Sequence, residues 1–158
     1  MRAKKRFGQN FLQDPLIIGD IVALVPNEAN LHILEIGPGQ GALTKHLCRI
    51  DPSMIVVELD RDLISGLTAL LPRTATILQQ DALQLQLDDL TAPLTIVGNL
   101  PYNISTPLLM HLLDQLDHIN QMIFMFQKEV VDRLSAPTHT KAYGLSLIHI
   151  SEPTRLSV

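Results

Sequence analysis

Short apolar runs alternate with amphipathic stretches along most of the chain. Five apolar runs predict buried strands, and in chain order they read LHILEIG, MIVVELD, ATILQQD, LTIVGNL and MIFMFQK. Stretches with apolar residues at helical spacing lie before or between them, namely DPLIIGDIVALV, ALTKHLCRI, RDLISGLTALL and STPLLMHLLDQL. Strands and helices in alternation predict an α/β fold, with a mostly parallel sheet that helices cover on both faces.

Two of these helices have recognisable start signals. Asp14 stands immediately before Pro15, so it is predicted to cap the first helix, with proline at the first helical position. In the last helix, Ser105 or Thr106 is the predicted cap, and Pro107 lies in the first turn.

The composition indicates a single packed domain. With 46% hydrophobic and 18% charged residues, a chain of 158 residues can bury a substantial core. No apolar run approaches the roughly 20 residues of a membrane helix, and the start MRAKKRFGQNF lacks the apolar segment of a signal peptide. We therefore expect a cytoplasmic protein without membrane contact. Cys48 and the six histidines form no metal-binding motif, so no metal is expected.

The charge is unevenly distributed. The net charge is −4, yet four basic residues lie within the first six positions, at Arg2, Lys4, Lys5 and Arg6. Such an arm suits either phosphate contacts or a solvated terminus.

Polar and glycine residues follow the predicted strands where a parallel sheet binds ligands. After the first strand, LEIGPGQGALT places Gly37, Gly39 and Gly41 two residues apart, which suits either a cofactor-binding turn or an ordinary one. Glu58 ends the second strand, nineteen positions after Gly39, where nucleotide-binding sheets present a carboxylate to ribose hydroxyls. Together they favour an adenosine-containing cofactor. Asp81 ends the third strand and suits either an adenine amine or a helix cap.

The fourth predicted strand ends in the unusual stretch VGNLPYNIS, in which Asn99, Leu100, Pro101 and Tyr102 follow a run of apolar residues. By itself this stretch is compatible with a Pro-Tyr turn that closes the strand.

Six stretches occur together in one order: RFGQNFLQDP, LEIGPGQGALT, VVELDRDL, QQDAL, GNLPYNISTPLL and FQKEVVDRL. From Arg6 to about Gly144 they resemble the ribosomal RNA adenine dimethyltransferase family. The resemblance implies a Rossmann-like methyltransferase fold with S-adenosyl-L-methionine as cofactor. It also implies dimethylation of the N6 amines of two adjacent adenines near the 3′ end of 16S ribosomal RNA, in the immature small ribosomal subunit, by a monomeric protein.

The resemblance also implies roles for individual residues. The cofactor-binding residues are expected to be Asn10, Leu12, Gly37, Gly39, Glu58, Asp81 and Asn99. The catalytic stretch is Asn99–Tyr102, where the Asn99 side-chain oxygen and the Leu100 carbonyl accept the two N6 hydrogens, Pro101 stiffens the turn and Tyr102 stacks on the flipped-out adenine.

Three residues at or beyond the end of the fifth predicted strand each suit two different roles. Phe126 suits either a second wall of the base pocket or the core, and Lys128 and Arg133 suit either phosphate contacts or surface charge.

The chain departs from the family pattern after Gly144. Removal of LSLIHISEPT, residues 145–154, would join KAYG to RLSV, and the inserted text resembles a conceptual translation of a transposase sequencing adapter. We therefore expect a methyltransferase domain over residues 1–144 and an aberrant tail over residues 145–158. Residues 145–154 should have no stable place in the fold, and the sheet should end before its last strands and the C-terminal helical domain.

Two alternatives to this function remain open. One is the erythromycin-resistance type of large-subunit methyltransferase, which the wording of RFGQNFL and NLPYNISTPLL disfavours. The other is a noncatalytic ribosome-assembly module that binds RNA and retains the pocket, and a complete pocket is compatible with both an enzyme and such a module.

Overall fold

A computed structural model describes residues 12–90, 93–101, 103–127, 145–151 and 155–157. The helices are α1 (Pro15–Leu24), α2 (Thr44–Ile50), α3 (Arg61–Leu70) and α4 (Ser105–Leu113). The strands are β1 (Ile33–Ile36), β2 (Ile55–Val57), β3 (Thr76–Leu78), β4 (Leu94–Asn99), β5 (Ile119–Gln127), β6 (Leu145–Ser151) and β7 (Arg155–Ser157). All five predicted strands and all four predicted helices are confirmed, with slightly shorter bounds for most of them.

The strands form one sheet in the order β3-β2-β1-β4-β5-β6-β7. Strands β1 to β5 pair in parallel, whereas β5, β6 and β7 pair antiparallel. Because β2 and β4 lie on opposite sides of β1, the direction of winding reverses between β1 and β4. The carboxyl ends of strands at such a reversal are where open α/β sheets bind their ligands.

Helices cover both faces of the parallel part of the sheet, as the sequence pattern predicts. On one face, Ile18 and Ile21 of α1 and Leu47 of α2 pack with residues of the central strands. On the other face, Leu108 and Leu112 of α4 pack against the opposite sides of the same strands. The central strands are therefore buried on both sides, which explains why their sequences are continuous apolar runs. No helix in the described part of the chain is long and apolar enough to cross a membrane.

The two predicted helix starts have different outcomes. Asp14 caps α1 as expected, because its Oδ1 accepts a hydrogen bond from the Leu16 N–H at 2.9 Å, and Pro15 is the first helical residue. The cap predicted for α4 is wrong. The cap position is Ile104, which already has helical dihedral angles and makes no side-chain cap. The Ile104 N–H bonds to the Pro101 carbonyl at 3.2 Å, so a turn runs directly into the helix.

The tail differs from expectation at Leu145–Ser151. We expected no stable place for this segment, but it forms β6 and pairs with β5 from Gln127 opposite Leu145 to Gln121 opposite Ser151. Without β6, one side of β5 would leave a row of unpaired backbone groups, and such an edge accepts a further strand readily. A segment rich in leucine and isoleucine suits that position.

Candidate active site

A cavity of about 330 Å³ lies at the carboxyl edge of the sheet. The ends of four strands contribute to it: Gly37 and Gly39 after β1, Glu58 after β2, Asp81 after β3, and Asn99 at the end of β4. Leu12, Pro101, Asn103 and Ile104 complete much of the remaining wall. The structure therefore brings together the residues that the sequence placed at the ends of separate strands.

The turn after β1 depends on glycine. Gly37, Gly39 and Gly41 have φ angles of 66°, 58° and 88°, in the left-handed region that other residues rarely adopt. A Cβ atom on Gly41 would also collide with the Leu70 side chain. The N–H groups of these three glycines are bonded within the fold, to the Val57 carbonyl, the Glu58 carboxylate and the Pro38 carbonyl respectively. The glycines therefore determine the shape of the turn beside the cavity.

Glu58 holds this turn as well as facing the cavity. Its Oε2 accepts a hydrogen bond from the Gly39 N–H at 3.3 Å, and its Oε1 accepts one from the Asp60 N–H at 2.8 Å. Burial raises the pKa of Glu58, and the N–H groups of Asp60 and Gly39 oppose that rise. The glycine turn and the strand-end acid, which the sequence only suggested as partners, are in direct contact.

Asp81 forms a cap, which is one of the two roles that the sequence left open, and it also lines the cavity. Its Oδ1 accepts a hydrogen bond from the Leu83 N–H at 2.9 Å and caps a short 3-10 turn at Ala82–Gln84. The same residue lines the cavity, and it follows β3, which lies two strands away from β1 and its glycine turn. A carboxylate has acceptor sites beyond the single bond of the cap, so capping and ligand binding are compatible.

Asn99 lies at the junction of β4 with the cavity, and the backbone there is tightly packed. A Cβ atom on Gly98 would lie 2.8 Å from the Ile36 carbonyl oxygen, and one on Gly37 would lie 3.7 Å from the Asn99 carbonyl oxygen. The Leu100 N–H extends the pairing of β4 with β5 by donating to the Met125 carbonyl at 3.1 Å, and the Leu100 side chain is in the core. Pro101 follows on the cavity wall.

Some predicted site residues lie elsewhere. Phe126 is fully buried in the core, where its ring makes an edge-to-face contact with Phe124 at 5.8 Å between centroids, and it is not among the described residues that line the cavity. The structure thus favours the core interpretation of Phe126. Asn10, Tyr102, Lys128 and Arg133 lie outside the described residues. Within the described residues, no cluster of three or more potential metal ligands occurs.

The sequence interpretation missed Glu35, which lies in β1 and lines the cavity. Its side chain is only 1% exposed, and the Thr44 hydroxyl donates a hydrogen bond of 2.6 Å to its Oε2. Burial raises the pKa of Glu35 to about 8. The available signal was a lone acidic residue within the apolar run LHILEIG, because an acid in a buried strand needs a reason.

Comparisons with known proteins agree with this geometry. The family model described as ribosomal RNA adenine dimethylase matches residues 1–150. The ribosomal RNA small subunit methyltransferase A of Acidithiobacillus ferrooxidans is 53% identical over 147 residues, which are 90% of this chain and 55% of the relative. The chain thus spans about half the length of the curated relatives it matches.

Two solved structures share the fold. A dimethyladenosine transferase from Plasmodium falciparum superposes with a TM-score of 0.68 at 26% identity, covering 81% of this chain and 47% of the other. The 23S rRNA methyltransferase ErmE superposes with a TM-score of 0.66 at 25% identity, covering 78% and 50% respectively. The fold is therefore the Rossmann-like fold of methyltransferases. On the match of its sequence over nearly its whole length, this chain belongs to the ribosomal RNA adenine dimethylase family.

Proposed function

We propose that this chain carries the catalytic site of an S-adenosylmethionine-dependent enzyme that dimethylates the N6 amines of two adjacent adenines near the 3′ end of 16S ribosomal RNA. The observation that supports this most is the convergence of Glu58, Asp81 and Asn99 on one cavity, with Glu58 bonded to the glycine turn. Family membership supports the reaction class, and the names of the curated relatives support the small-subunit substrate.

The residues around the cavity fit S-adenosylmethionine. The cavity volume of about 330 Å³ lies within the range of small-molecule sites. Each Glu58 oxygen accepts one backbone hydrogen bond and retains capacity for a ribose hydroxyl. Asp81 would accept from the adenine amine, and Gly37 and Gly39 leave room beside the methionine portion. Leu12 lies on the cavity wall, and Asn10 is proposed beside it from the family resemblance.

The bound cofactor would supply an electrophilic methyl group on a sulfonium sulfur. The chain's own task is to prepare the attacking nitrogen, whose lone pair is delocalised into the adenine ring. Acceptance of the two N6 hydrogens by the Asn99 side-chain oxygen and the Leu100 carbonyl would turn that lone pair toward the methyl carbon. These hydrogen bonds strengthen as the nitrogen becomes tetrahedral, so they stabilise the transition state more than the bound substrate.

The remaining proposed residues act on the base as a whole. Pro101 restricts the backbone that carries the Leu100 carbonyl. Tyr102 offers a ring face for a flipped-out adenine, a contact worth roughly 1 to 3 kcal/mol in other single-stranded complexes. Each transfer would break the methyl–sulfur bond and form a nitrogen–carbon bond, after which the charged nitrogen would release one proton to solvent. The singly methylated amine then retains one N6 hydrogen, so the second transfer would use one acceptor instead of two.

The function is tested by the transfer of labelled methyl groups from S-adenosylmethionine to small ribosomal subunits that lack the modification. Large subunits and naked RNA serve as the comparison substrates. We expect labelled N6,N6-dimethyladenine in the small-subunit RNA. Label in large subunits alone would contradict the proposal in favour of the erythromycin-resistance type of reaction. Binding of subunits without any transfer would indicate a noncatalytic assembly module.

We further propose that the protein works in the cytoplasm, since its substrate would be an immature small subunit. We also propose that it is a monomer. Size-exclusion chromatography with light scattering tests the oligomeric state. A mass near 17.5 kDa is expected, and a dimer at micromolar concentration would contradict it.

A further inference from the structure

Helix α4 is tied to the loop beyond Asp81 by two polar side chains. His111, in the last turn of α4, lies with its Nε2 2.6 Å from the Leu85 carbonyl oxygen. Gln115, just beyond the helix, donates from Nε2 to the same oxygen at 3.2 Å and accepts at Oε1 from the Leu87 N–H at 2.8 Å. Both side chains are half-buried.

The Gln115 side-chain amide bonds to the Leu85–Leu87 loop in the way that the backbone of a neighbouring β-strand would. It offers a donor to the carbonyl of Leu85 and an acceptor to the N–H of Leu87, two residues on. Because the Leu87 N–H only donates and the Leu85 carbonyl only accepts, these partners determine which amide atom is oxygen. A carboxylate or an ammonium group cannot make both bonds.

The hydrogen bond to Leu85 likewise determines the proton on His111. A carbonyl oxygen only accepts, so Nε2 must carry a hydrogen. The Nε2 atoms of His111 and Gln115 are 3.2 Å apart because both donate to one oxygen. The Leu85 carbonyl therefore accepts hydrogen bonds from two adjacent side chains.

These contacts lie between the two ends of the proposed site. The 3-10 turn that Asp81 caps is closed by the Leu85 N–H, which donates to the Ala82 carbonyl at 3.2 Å. At its other end, α4 begins at Ser105, and the segment just before it contributes Pro101, Asn103 and Ile104 to the cavity wall. A shift of Leu85 relative to α4 would tilt the turn and redirect the Asp81 carboxylate.

We infer that His111 and Gln115 are positioning residues, which hold the Leu85–Leu87 loop so that Asp81 meets the exocyclic amine of the cofactor's adenine. The inference rests on the proposed function, because it takes Asp81 to be the adenine acceptor. Neither side chain lines the cavity among the described residues, so each acts through the loop.

The quantity to measure is the preference of the proposed cofactor site for adenine over hypoxanthine. Hypoxanthine replaces the N6 amine with an oxygen, which the Asp81 carboxylate repels. We would measure by calorimetry the dissociation constants of S-adenosylhomocysteine and of its inosine analogue for each variant. The wild-type chain should prefer the adenine compound. His111→Leu should reduce that preference about five- to tenfold, which corresponds to the loss of one hydrogen bond's contribution.

Conservative and control variants separate positioning from general stability. His111→Gln retains a donor near Leu85 and should keep most of the preference. Gln115→Glu retains the acceptor for Leu87 but loses the donor, so it should lower the preference even if His111→Leu fails to fold. Ile21→Ala, on the opposite face of the sheet, should lower the melting temperature without changing the ratio of the two constants.

An unchanged preference in a folded His111→Leu or Gln115→Glu chain would overturn the inference and leave the proposed function intact. A wild-type chain that binds neither compound would contradict the proposed function itself, and the inference with it.

Discussion

Two acidic residues at the cavity, Glu35 and Glu58, are withdrawn from water. Glu35 is held by the Thr44 hydroxyl, and Glu58 is held by two backbone N–H groups. Burial raises the pKa of both groups, and Glu58 raises the pKa of Glu35 further by repulsion. The folded state is therefore more stable when the Glu35 carboxyl group is neutral than when it is ionised.

Glu35 should make stability depend on pH. Its pKa is about 8 in the folded chain and near the ordinary 4.5 when unfolded. Between these values the folded state binds a proton that the unfolded state has lost, so the free energy of unfolding should fall as pH rises from about 4.5 to about 8. Urea denaturation at pH 5 and pH 8 should show a difference on the order of 3 kcal/mol. Glu35→Gln should remove most of it, and an equal difference in that variant would contradict the assignment.

Glu58 both lines the cavity and bonds to the backbone N–H groups of Gly39 and Asp60. Glu58→Ala would leave two backbone N–H groups without their partner, so loss of binding and loss of stability would be mixed. Glu58→Gln retains one acceptor oxygen. We expect it to weaken S-adenosylmethionine binding at least tenfold by calorimetry, about the effect of one charge-assisted hydrogen bond. An unchanged dissociation constant would remove Glu58 from the cofactor site.

Thr95 provides a test away from the cavity. Its Oγ1 is buried and has no hydrogen-bond partner among the described residues. Thr95→Val replaces the hydroxyl with a methyl group of similar shape and removes the desolvation cost. The free energy of unfolding should rise by about 1 kcal/mol in urea denaturation. A decrease would show that the hydroxyl has a stabilising contact.

At the scale of elements, the close approach of β1 and β4 brings the glycine turn against Asn99. Gly98 permits that approach, since a Cβ atom there would lie 2.8 Å from the Ile36 carbonyl oxygen and 3.2 Å from Leu100 Cδ2. The Ile36 carbonyl oxygen belongs to the backbone of β1, so it cannot move away without separating β1 from β4.

Gly98→Ala should therefore lower the free energy of unfolding by about 1 to 3 kcal/mol, as other overpacked sites do. Gly19 is a matched control, because it is exposed in α1 and no atom lies within 4 Å of its hypothetical Cβ. Gly19→Ala should raise stability by about 0.5 to 1 kcal/mol through helix propensity. Equal effects of the two substitutions in thermal denaturation would contradict the role of the close approach.

Elements with strong local signals could be predicted from the sequence. The buried parallel strands are continuous apolar runs, and Asp14 with Pro15 identifies the start of α1. Other features depend on contacts between distant residues. Phe126 is buried because residues of β1, β4 and α4 pack with it in one core cluster. The Leu85 carbonyl is bonded by His111 and Gln115, which lie 26 and 30 positions away. The pattern of neighbouring residues in the sequence does not predict such contacts.

At the scale of the whole molecule, the sheet order determines which strand ends share the cavity. Residues as far apart along the chain as Leu12 and Ile104 meet there. Strand alternation predicted a parallel sheet, but only the observed order shows that the direction of winding reverses between β1 and β4. The types of residue at the strand ends were therefore predictable, whereas their mutual geometry was not.

The tail is a separate matter at this scale. We propose that residues 1–144 form the methyltransferase domain and that residues 145–154 are an insertion foreign to it, although Leu145–Ser151 pairs with β5. Resequencing of the source DNA should recover an uninterrupted KAYGRLSV. Independent reads that span both sides of LSLIHISEPT with the insertion in place would contradict the proposal.

The central claim is that Asn99 prepares an adenine amine for methylation at this cavity. The most direct test measures Asn99→Ala in two assays, methyl transfer to small subunits that lack the modification and calorimetric binding of S-adenosylmethionine. Removal of one acceptor that strengthens in the transition state should raise the barrier by roughly 2 to 4 kcal/mol, while the cofactor's dissociation constant changes far less. Near-normal transfer by Asn99→Ala would contradict the account and would leave the end of β4 as a structural turn.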